Sequence, residues 1–158
     1  MTFRFKARYR GVAWTSIAIG GSLSTVAMVV GVIMVPLAAG ALGMLFGAAY
    51  LASSTWKLRV VVDDEGLEVG TPRRRRFRLA WSEILKVVAS PTTHTCFVDG
   101  GSASSSLLVP GIGAPAPYDI EDRAALFDFI LAHVAAERVE IVETLETARI
   151  GARDPVTG

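Results

Sequence analysis

Residues 11–56 read GVAWTSIAIGGSLSTVAMVVGVIMVPLAAGALGMLFGAAYLASSTW and include no Asp, Glu, Lys, Arg or His. A single helix of this length would extend about 69 Å at ~1.5 Å per residue, more than twice the ~30 Å hydrocarbon core of a bilayer. The chain must therefore fold back within the stretch. The simplest prediction is a hairpin of two membrane-spanning helices.

Pro36 divides this stretch, because proline fits the first turn of a helix but not its interior. We expect one helix over 12–33, a second over 37–55, and the far turn at Met34-Val35-Pro36. A cleaved signal peptide is not expected, since its apolar region is only ~7–15 residues long. The far turn has neither charge nor aromatic residue, so a hairpin that stops short of the opposite surface also fits the sequence.

The flanks of the apolar stretch predict its orientation. Short flanks rich in Lys and Arg stay on the cytoplasmic side, so we expect both termini to be cytoplasmic. Aromatic residues near both ends fit a single interfacial belt. The basic flanking residues are Arg4, Lys6, Arg8 and Arg10 before the stretch and Lys57 and Arg59 after it, and the aromatic ones are Tyr9, Trp14, Tyr50 and Trp56.

Small residues recur in the apolar stretch, including Gly43 and Gly47 in a GxxxG arrangement. Small residues let transmembrane helices approach closely, either within the hairpin or between copies of the chain as a homo-oligomer. Both interpretations are open at this stage. The stretch lacks the intramembrane ionisable residues that pumps and ion channels use, so it indicates an anchor.

After Lys57 the apolar residues alternate, which is typical of strands. Asp64-Glu-Gly66 predicts a β-hairpin turn, with Gly66 at a position expected to need positive φ. Thr71-Pro72 predicts a second turn, and Gly111 to Pro117 predicts an irregular connection. Further strands are expected at 76–80, 84–89, 95–98 and 106–109, which together predict an antiparallel meander or barrel.

The C-terminal part predicts a helix that starts with Asp119 as its N-cap. Its apolar residues continue at helical spacing past Arg138 to Ile141, Leu145 and Ala148. They form either a seam for another helix or a helix that frays into an acidic tail. The predicted organisation is a basic cytoplasmic N-terminus (1–10), a transmembrane hairpin (11–56), a β-domain with its capping helix (57–142), and a helix extension with a disordered tail (143–158).

The order of these motifs resembles the bacterial pleckstrin-homology (PH) domain membrane proteins. The resemblance rests on the hairpin, the Asp-Glu-Gly-Leu turn at 64–67, the basic strand after it, and Trp81-Ser-Glu-Ile84, and it covers about residues 10–142. It implies an α+β membrane protein in which a transmembrane helical hairpin precedes a PH-like antiparallel β-barrel capped by a C-terminal α-helix. It also implies a multi-pass protein of the bacterial inner membrane and does not imply an enzyme.

Candidate chemistry is sparse in this sequence. His94 and Cys96 lie two apart on an expected strand and would share a face, but a zinc site needs a third or fourth ligand. The chain has no GxSxG, GxxxxGK[ST] or HExxH motif. We therefore expect no catalytic residues, no cofactor and no metal.

Five arginines in six positions are the main candidate site: Arg73, Arg74, Arg75, Arg76 and Arg78. Three interpretations compete, namely a solvated connection, nonspecific contact with anionic lipid, and a specific phosphate site. Guanidinium groups match phosphate oxygens, and each basic residue near an anionic leaflet contributes roughly 1 kcal/mol. In lipid-binding eukaryotic PH domains the basic residues come chiefly from the connection after the first strand, which here is the acidic Asp63-Asp64-Glu65-Gly66.

The sequence thus predicts a membrane-anchored, PH-like binding or scaffold module on the cytoplasmic face, which recognises a protein partner or the anionic membrane surface. The alternative is a structural or accessory subunit of a membrane complex that assembles through its hairpin and C-terminal helix. Net charge runs from +7 over residues 1–81 to −1 over 82–118 and −5 over 119–158. The basic half therefore adjoins the membrane segment, and nucleic acid is not an expected partner.

Overall fold

The computed structural model describes residues 1–31 and 34–143, which divide into two compact units. The hairpin unit comprises Ala7–Trp56. The sheet unit comprises Met1–Lys6 together with the described chain from Lys57 onward. The chain therefore has two long apolar N-terminal helices and a mostly antiparallel β-region with a helix near its C-terminal end.

The hairpin unit contains α1 (Arg10–Val30) and α2 (Met34–Ala52). At 21 and 19 residues they measure about 32 and 29 Å, which matches the ~30 Å hydrocarbon core. Both helices are candidates for membrane spans by length and composition. The prediction of two long apolar helices is confirmed.

Helix α1 ends, and helix α2 begins, earlier in the sequence than predicted. Helix α1 ends at Val30, and its C-cap Gly31 has a φ of 75° and donates its N–H to the carbonyl of Ala27 at 3.1 Å. Met34, Val35 and Pro36 instead form the first turn of α2, so their assignment to the turn was wrong. Pro36 marks a helix start because its missing N–H costs nothing in a first turn.

Small residues bring α1 and α2 together. A Cβ atom added at Gly20 would lie 2.5 Å from the carbonyl oxygen of Gly40, and one added at Gly47 would lie 2.7 Å from that of Ala13. The large apolar side chains point away from this interface and are exposed, including Val12, Ile19, Met28, Val29, Leu45 and Phe46. Small residues inside and large apolar residues outside are typical of helices surrounded by lipid.

Three of the four aromatic residues expected at the interfacial belt contact one another at one end of the hairpin. The rings of Tyr50 and Trp56 meet edge-on with centroids 4.9 Å apart, and Trp56 Nε1 donates to the carbonyl of Tyr50 at 2.6 Å. The backbone N–H of Tyr9 donates to the Tyr50 hydroxyl at 2.9 Å. The first residues of α1 and the last turn of α2 are therefore held side by side.

The described part of the sheet unit contains nine strands and the helix α3 (Arg123–His133). A five-stranded sheet has the order β4-β3-β2-β1-β8, and a four-stranded sheet has the order β7-β6-β5-β9. Strand β9 pairs with β5 in parallel, whereas β1–β4 and β5–β7 pair antiparallel. The strands are β1 (Thr2–Ala7), β2 (Arg59–Val62), β3 (Gly66–Thr71), β4 (Arg74–Ala80), β5 (Lys86–Ser90), β6 (Thr95–Asp99), β7 (Leu107–Val109), β8 (Tyr118–Ile120) and β9 (Val139–Ile141). These strands form two open sheets and not a closed barrel.

Strand β1 was not predicted, because the N-terminal segment was interpreted only as a basic flank. Its sequence TFRFKA alternates, and Phe3 and Phe5 are buried in the core. Since β1 pairs with β2, the hairpin unit is inserted in the chain between two neighbouring strands. The basic N-terminus is thus part of the sheet.

The core of the sheet unit lies between the sheets and α3. Its fully buried members include Val60, Val62, Leu67, Ile84, Val98 and Val109 from the strands, and Leu126 and Ile130 from α3. Trp81 packs against it and donates its Nε1–H to the carbonyl of Asp63 at 3.0 Å. The predicted covering role of the helix is confirmed by these contacts.

The predicted bounds of this helix were wrong at both ends. Asp119 lies in β8, where its carboxylate accepts from the N–H of Ile120 at 2.9 Å, and α3 begins only at Arg123. The helix ends at His133, and the expected helical positions Arg138 and Ile141 lie in a short 3₁₀ turn and in β9. Pairing with β5 therefore interrupts the proposed seam, whose last members Leu145 and Ala148 lie outside the described residues.

The turn between β2 and β3 forms where predicted, but for a different reason. Asp63 Oδ1 accepts hydrogen bonds from the N–H groups of Glu65 and Gly66 at 3.0 and 2.9 Å. These bonds, the one from Gly66 above all, lower the pKa of the Asp63 carboxyl. Gly66 does not have positive φ. It is needed because a Cβ there would lie 2.9 Å from Ala80 Cα and closer still to the Leu79 carbonyl oxygen.

Candidate functional site

The register of the five-stranded sheet gathers basic residues at one end. Strand β1 ends there, β2 begins there, and the β3–β4 turn closes there, because consecutive strands of this group are antiparallel. We call this the basic end, comprising Arg4, Lys6, Lys57, Arg59, Arg73, Arg74, Arg75 and Arg76. The opposite end carries the acidic Asp63-Asp64-Glu65 turn, so the sheet is polarised in charge.

The arginine run does not lie wholly in a connection, as one interpretation had it. Only Pro72 and Arg73 lie in the turn, which Thr71 closes through a bond from the Arg74 N–H to its hydroxyl at 3.1 Å. The next three arginines are exposed and belong to β4, an edge strand. Charged side chains on an edge strand also oppose pairing with other chains.

Ion pairs separate the five candidate arginines into two groups. Arg75 Nε lies 2.9 Å from Glu68 Oε2, and Arg78 Nη2 lies 2.6 Å from Glu65 Oε2. Within the described chain Arg73, Arg74 and Arg76 form no ion pair. Arg78 therefore belongs with the acidic turn, and three unpaired guanidinium groups remain near the β3–β4 turn.

The register adds Arg4 and Arg59, which sequence reasoning treated only as membrane flanks. Arg4 faces Arg59 across β1 and β2, Arg59 faces Gly70 across β2 and β3, and Gly70 faces Arg75 across β3 and β4. These residues form one row across the sheet. The alternation of TFRFKA could have indicated that Arg4 lies on the face opposite Phe3 and Phe5.

The pKa of Tyr118 is affected by its burial and by the charge of Arg76. Burial raises the pKa of its phenol, and the Arg76 guanidinium partly offsets that increase. The ring packs on Phe5 with centroids 4.9 Å apart, and the hydroxyl donates to the carbonyl of Leu108 at 2.9 Å. Tyr118 is therefore a neutral, structural neighbour of the arginine run.

His94 and Cys96 are not arranged as metal ligands. His94 lies in a turn with φ of 51°, and its ring meets Phe127 edge-on with centroids 5.7 Å apart. Cys96 is fully buried in β6, and burial raises the pKa of its thiol to about 12. Because metal binding requires the thiolate, this cysteine is a poor ligand. The described residues contain no group of three or more His, Cys, Asp or Glu that could hold a metal ion.

Gly43 and Gly47 both face α1 of the same chain. A Cβ at Gly47 would lie 2.7 Å from the carbonyl oxygen of Ala13, and one at Gly43 would lie 3.4 Å from that of Ser16. The GxxxG arrangement is therefore used within the hairpin.

No protein-family model matches this chain, and neither does any curated protein or any solved structure.

Proposed function

We propose that the chain is a membrane-anchored, PH-like binding module whose basic end lies against anionic lipid headgroups on the cytoplasmic face of the bacterial inner membrane. The observation that carries this proposal is that the chain leaves the sheet for α1, and returns from α2, at the basic end. Only two residues, Arg8 and Tyr9, separate β1 from α1. The chain therefore passes from the basic end of β1 into α1 with only these two residues in between.

The pairing of β1 with β2 also supports the topology. Because β1 and β2 are antiparallel neighbours, the end of β1 and the start of β2 lie at the same end of the sheet. This pairing supports a hairpin that returns to the side it left, which is the topology that the positive-inside rule predicts for its basic flanks. Two full crossings or a shallower hairpin both satisfy this condition.

Electrostatics supports lipid as the ligand of the basic end. Each basic residue near an anionic leaflet contributes roughly 1 kcal/mol, and the attraction falls off within a Debye length of ~8 Å at physiological salt. Acidic residues of β1–β4 and their turns lie elsewhere, at the opposite turn or in the middle of β3 as Glu68. The unpaired guanidinium groups are thus available to phosphate oxygens.

The alternative, a subunit that assembles through its glycines and C-terminal helix, has less support. Gly43 and Gly47 are occupied by α1, and the helical seam is interrupted when α3 ends at His133. The anionic membrane surface is therefore the partner that the arrangement favours.

Replacing Arg73, Arg74 and Arg76 together with glutamine should reduce preference for anionic lipid at least about tenfold, from the loss of roughly 1 kcal/mol per charge. The measurement is native mass spectrometry of the full-length chain in detergent with equal phosphatidylglycerol and phosphatidylcholine. The readout is the ratio of the two lipids bound. Arg78→Gln is the matched control, since it removes one charge that Glu65 already pairs. A wild-type chain that retains both lipids equally would reject the proposal.

A further inference from the structure

Arg4 and Arg59 lie directly opposite each other on the antiparallel strands β1 and β2. They occupy the type of cross-strand pair in which the two residues are closest. Met1 and Val62 exchange both backbone hydrogen bonds, and the N–H of Phe5 donates to the carbonyl of Leu58 at 3.1 Å. Hydrogen-bonded and non-hydrogen-bonded pairs alternate along an antiparallel ladder. The Arg4–Arg59 pair is therefore non-hydrogen-bonded, the type in which Cα atoms are only about 4.5 Å apart and side chains are closer.

Both side chains occupy the face of the sheet that points away from the core. Their neighbours along the strands, Phe3, Phe5 and Val60, are buried, whereas Arg4 is exposed and Arg59 is half-buried. Strand alternation places both side chains on this open face.

No ion pair within the described chain compensates these two like charges. On one flank of the row Gly70 has no side chain, and Glu68, two residues along β3, is paired with Arg75. On the other flank the backbone N–H of Glu121 donates to the carbonyl of Arg4 at 2.9 Å. Like charges directly opposite each other destabilise a sheet. An anion bound between the two side chains would relieve this repulsion.

We infer that Arg4 and Arg59 form a clamp for one phosphate group of an anionic lipid headgroup. Each guanidinium presents two parallel N–H donors, so the pair can bind several oxygens of one phosphate. A lipid is the expected source because Arg59 follows the hairpin unit by three residues and Arg4 precedes it by three. This inference rests on the proposed membrane contact and adds a defined site to it, separate from Arg73, Arg74 and Arg76.

The test is thermal unfolding of the full-length chain in a nonionic detergent at constant ionic strength, with chloride as the reference anion. The added probes are phosphatidylglycerol, phosphatidylcholine and inorganic phosphate. Phosphatidylglycerol should raise the unfolding temperature of the wild type, and phosphatidylcholine should raise it less. Arg4→Gln and Arg59→Gln should each unfold at a higher temperature than the wild type in chloride, because the repulsion is gone. Each should also need about tenfold more phosphatidylglycerol for the same shift, from the loss of a charge-assisted interaction.

Two further variants separate the clamp from the proposed function. Arg4→Lys keeps the charge but loses the fork, so it should unfold like the wild type in chloride and still respond weakly to phosphatidylglycerol. Arg73→Gln removes one charge of the proposed membrane contact and none of the clamp, so it should weaken the response to phosphatidylglycerol less than either Arg4→Gln or Arg59→Gln does. The clamp is overturned if inorganic phosphate raises the unfolding temperature of the wild type and phosphatidylglycerol does not, or if none of the probes raises it. It is also overturned if the Arg4 and Arg59 variants respond to phosphatidylglycerol as the wild type does. In the last case the proposed membrane contact of Arg73, Arg74 and Arg76 is still tested separately, by the ratio of the two lipids that the chain retains.

Discussion

Gly66→Ala is expected to lower the unfolding temperature of the sheet unit by roughly 10–20 °C. The new Cβ would lie 2.9 Å from Ala80 Cα and closer to the Leu79 carbonyl oxygen, both backbone atoms of the paired strand β4. Backbone cannot rotate away as a side chain can, so β3 and β4 must separate. Overpacking of this kind costs about 2–3 kcal/mol, and 1 kcal/mol corresponds to about 4–8 °C for a domain of this size.

Gly113→Ala is the matched control for this prediction. Gly113 has φ of 80°, and nothing lies within 4 Å of the position its Cβ would take. An alanine there should cost about 1 kcal/mol through backbone strain alone. Thermal unfolding of both variants in detergent, followed by near-ultraviolet circular dichroism, measures the difference. If Gly66→Ala is no more destabilising than Gly113→Ala, then close approach of the strands is not why glycine stands at position 66.

Gly40→Ala is expected to separate the two helices of the hairpin. Its Cβ would lie 2.5 Å from the carbonyl oxygen of Gly20, which is held by the backbone of α1. Helices normally pack with their axes 8–10 Å apart, and small residues permit a closer approach. We therefore expect the substitution to increase the distance between the axes of α1 and α2 by about 2 Å. The measurement is the distance between spin labels at the exposed positions Thr15 and Leu45 in the full-length chain. Gly40→Ala should give a longer mean distance and a broader distribution than the wild type.

Gly21→Ala is the control for the hairpin. It adds the same methyl group on the same helix pair, but its Cβ would lie 3.7 Å from Met44 Sδ, an ordinary contact with a flexible side chain. The label distance should therefore stay at its wild-type value. Equal behaviour of Gly40→Ala and Gly21→Ala would contradict the close helix contact at Gly40.

The two helices could be predicted because their signal is local. A stretch of 46 residues without charge has few other physical solutions, whatever the rest of the chain does. The β2–β3 turn was equally local, since Asp63 closes it within three residues. By contrast, β1 needs a partner that lies beyond the whole hairpin, at Arg59–Val62. The alternation of TFRFKA is compatible with a strand, but it does not identify a partner so far away in the sequence.

The C-terminal region shows how tertiary pairing can override helical spacing. Residues from Val134 to Ile141 fit a helical pattern, yet Val139–Ile141 form β9 because β5 offers a parallel partner. The ion pair of Lys86 with Glu140 adds to that pairing. The free edge of β5 could not be foreseen from the sequence of the tail.

The arginine run was recognisable from the sequence, but which of its arginines form ion pairs was not. Which arginines are neutralised depends on the register that brings Glu68 near Arg75 and on the turn that brings Glu65 to Arg78. The same register joins Arg4 to Arg59 from distant parts of the chain. Positions of charges across strands are set by pairing, which the sequence does not state.

The most direct test of the membrane topology is labelling of single introduced cysteines by an impermeant maleimide in intact bacterial cells. The positions are Val35, exposed in the first turn of α2, and Ala103, exposed between β6 and β7. Native Cys96 should contribute little, because it is fully buried and burial raises the pKa of its thiol. Two full spans with a cytoplasmic sheet unit predict labelling of Val35→Cys in intact cells, and of Ala103→Cys only after permeabilisation. Labelling of Ala103→Cys from outside, or none at Val35→Cys, would contradict this topology.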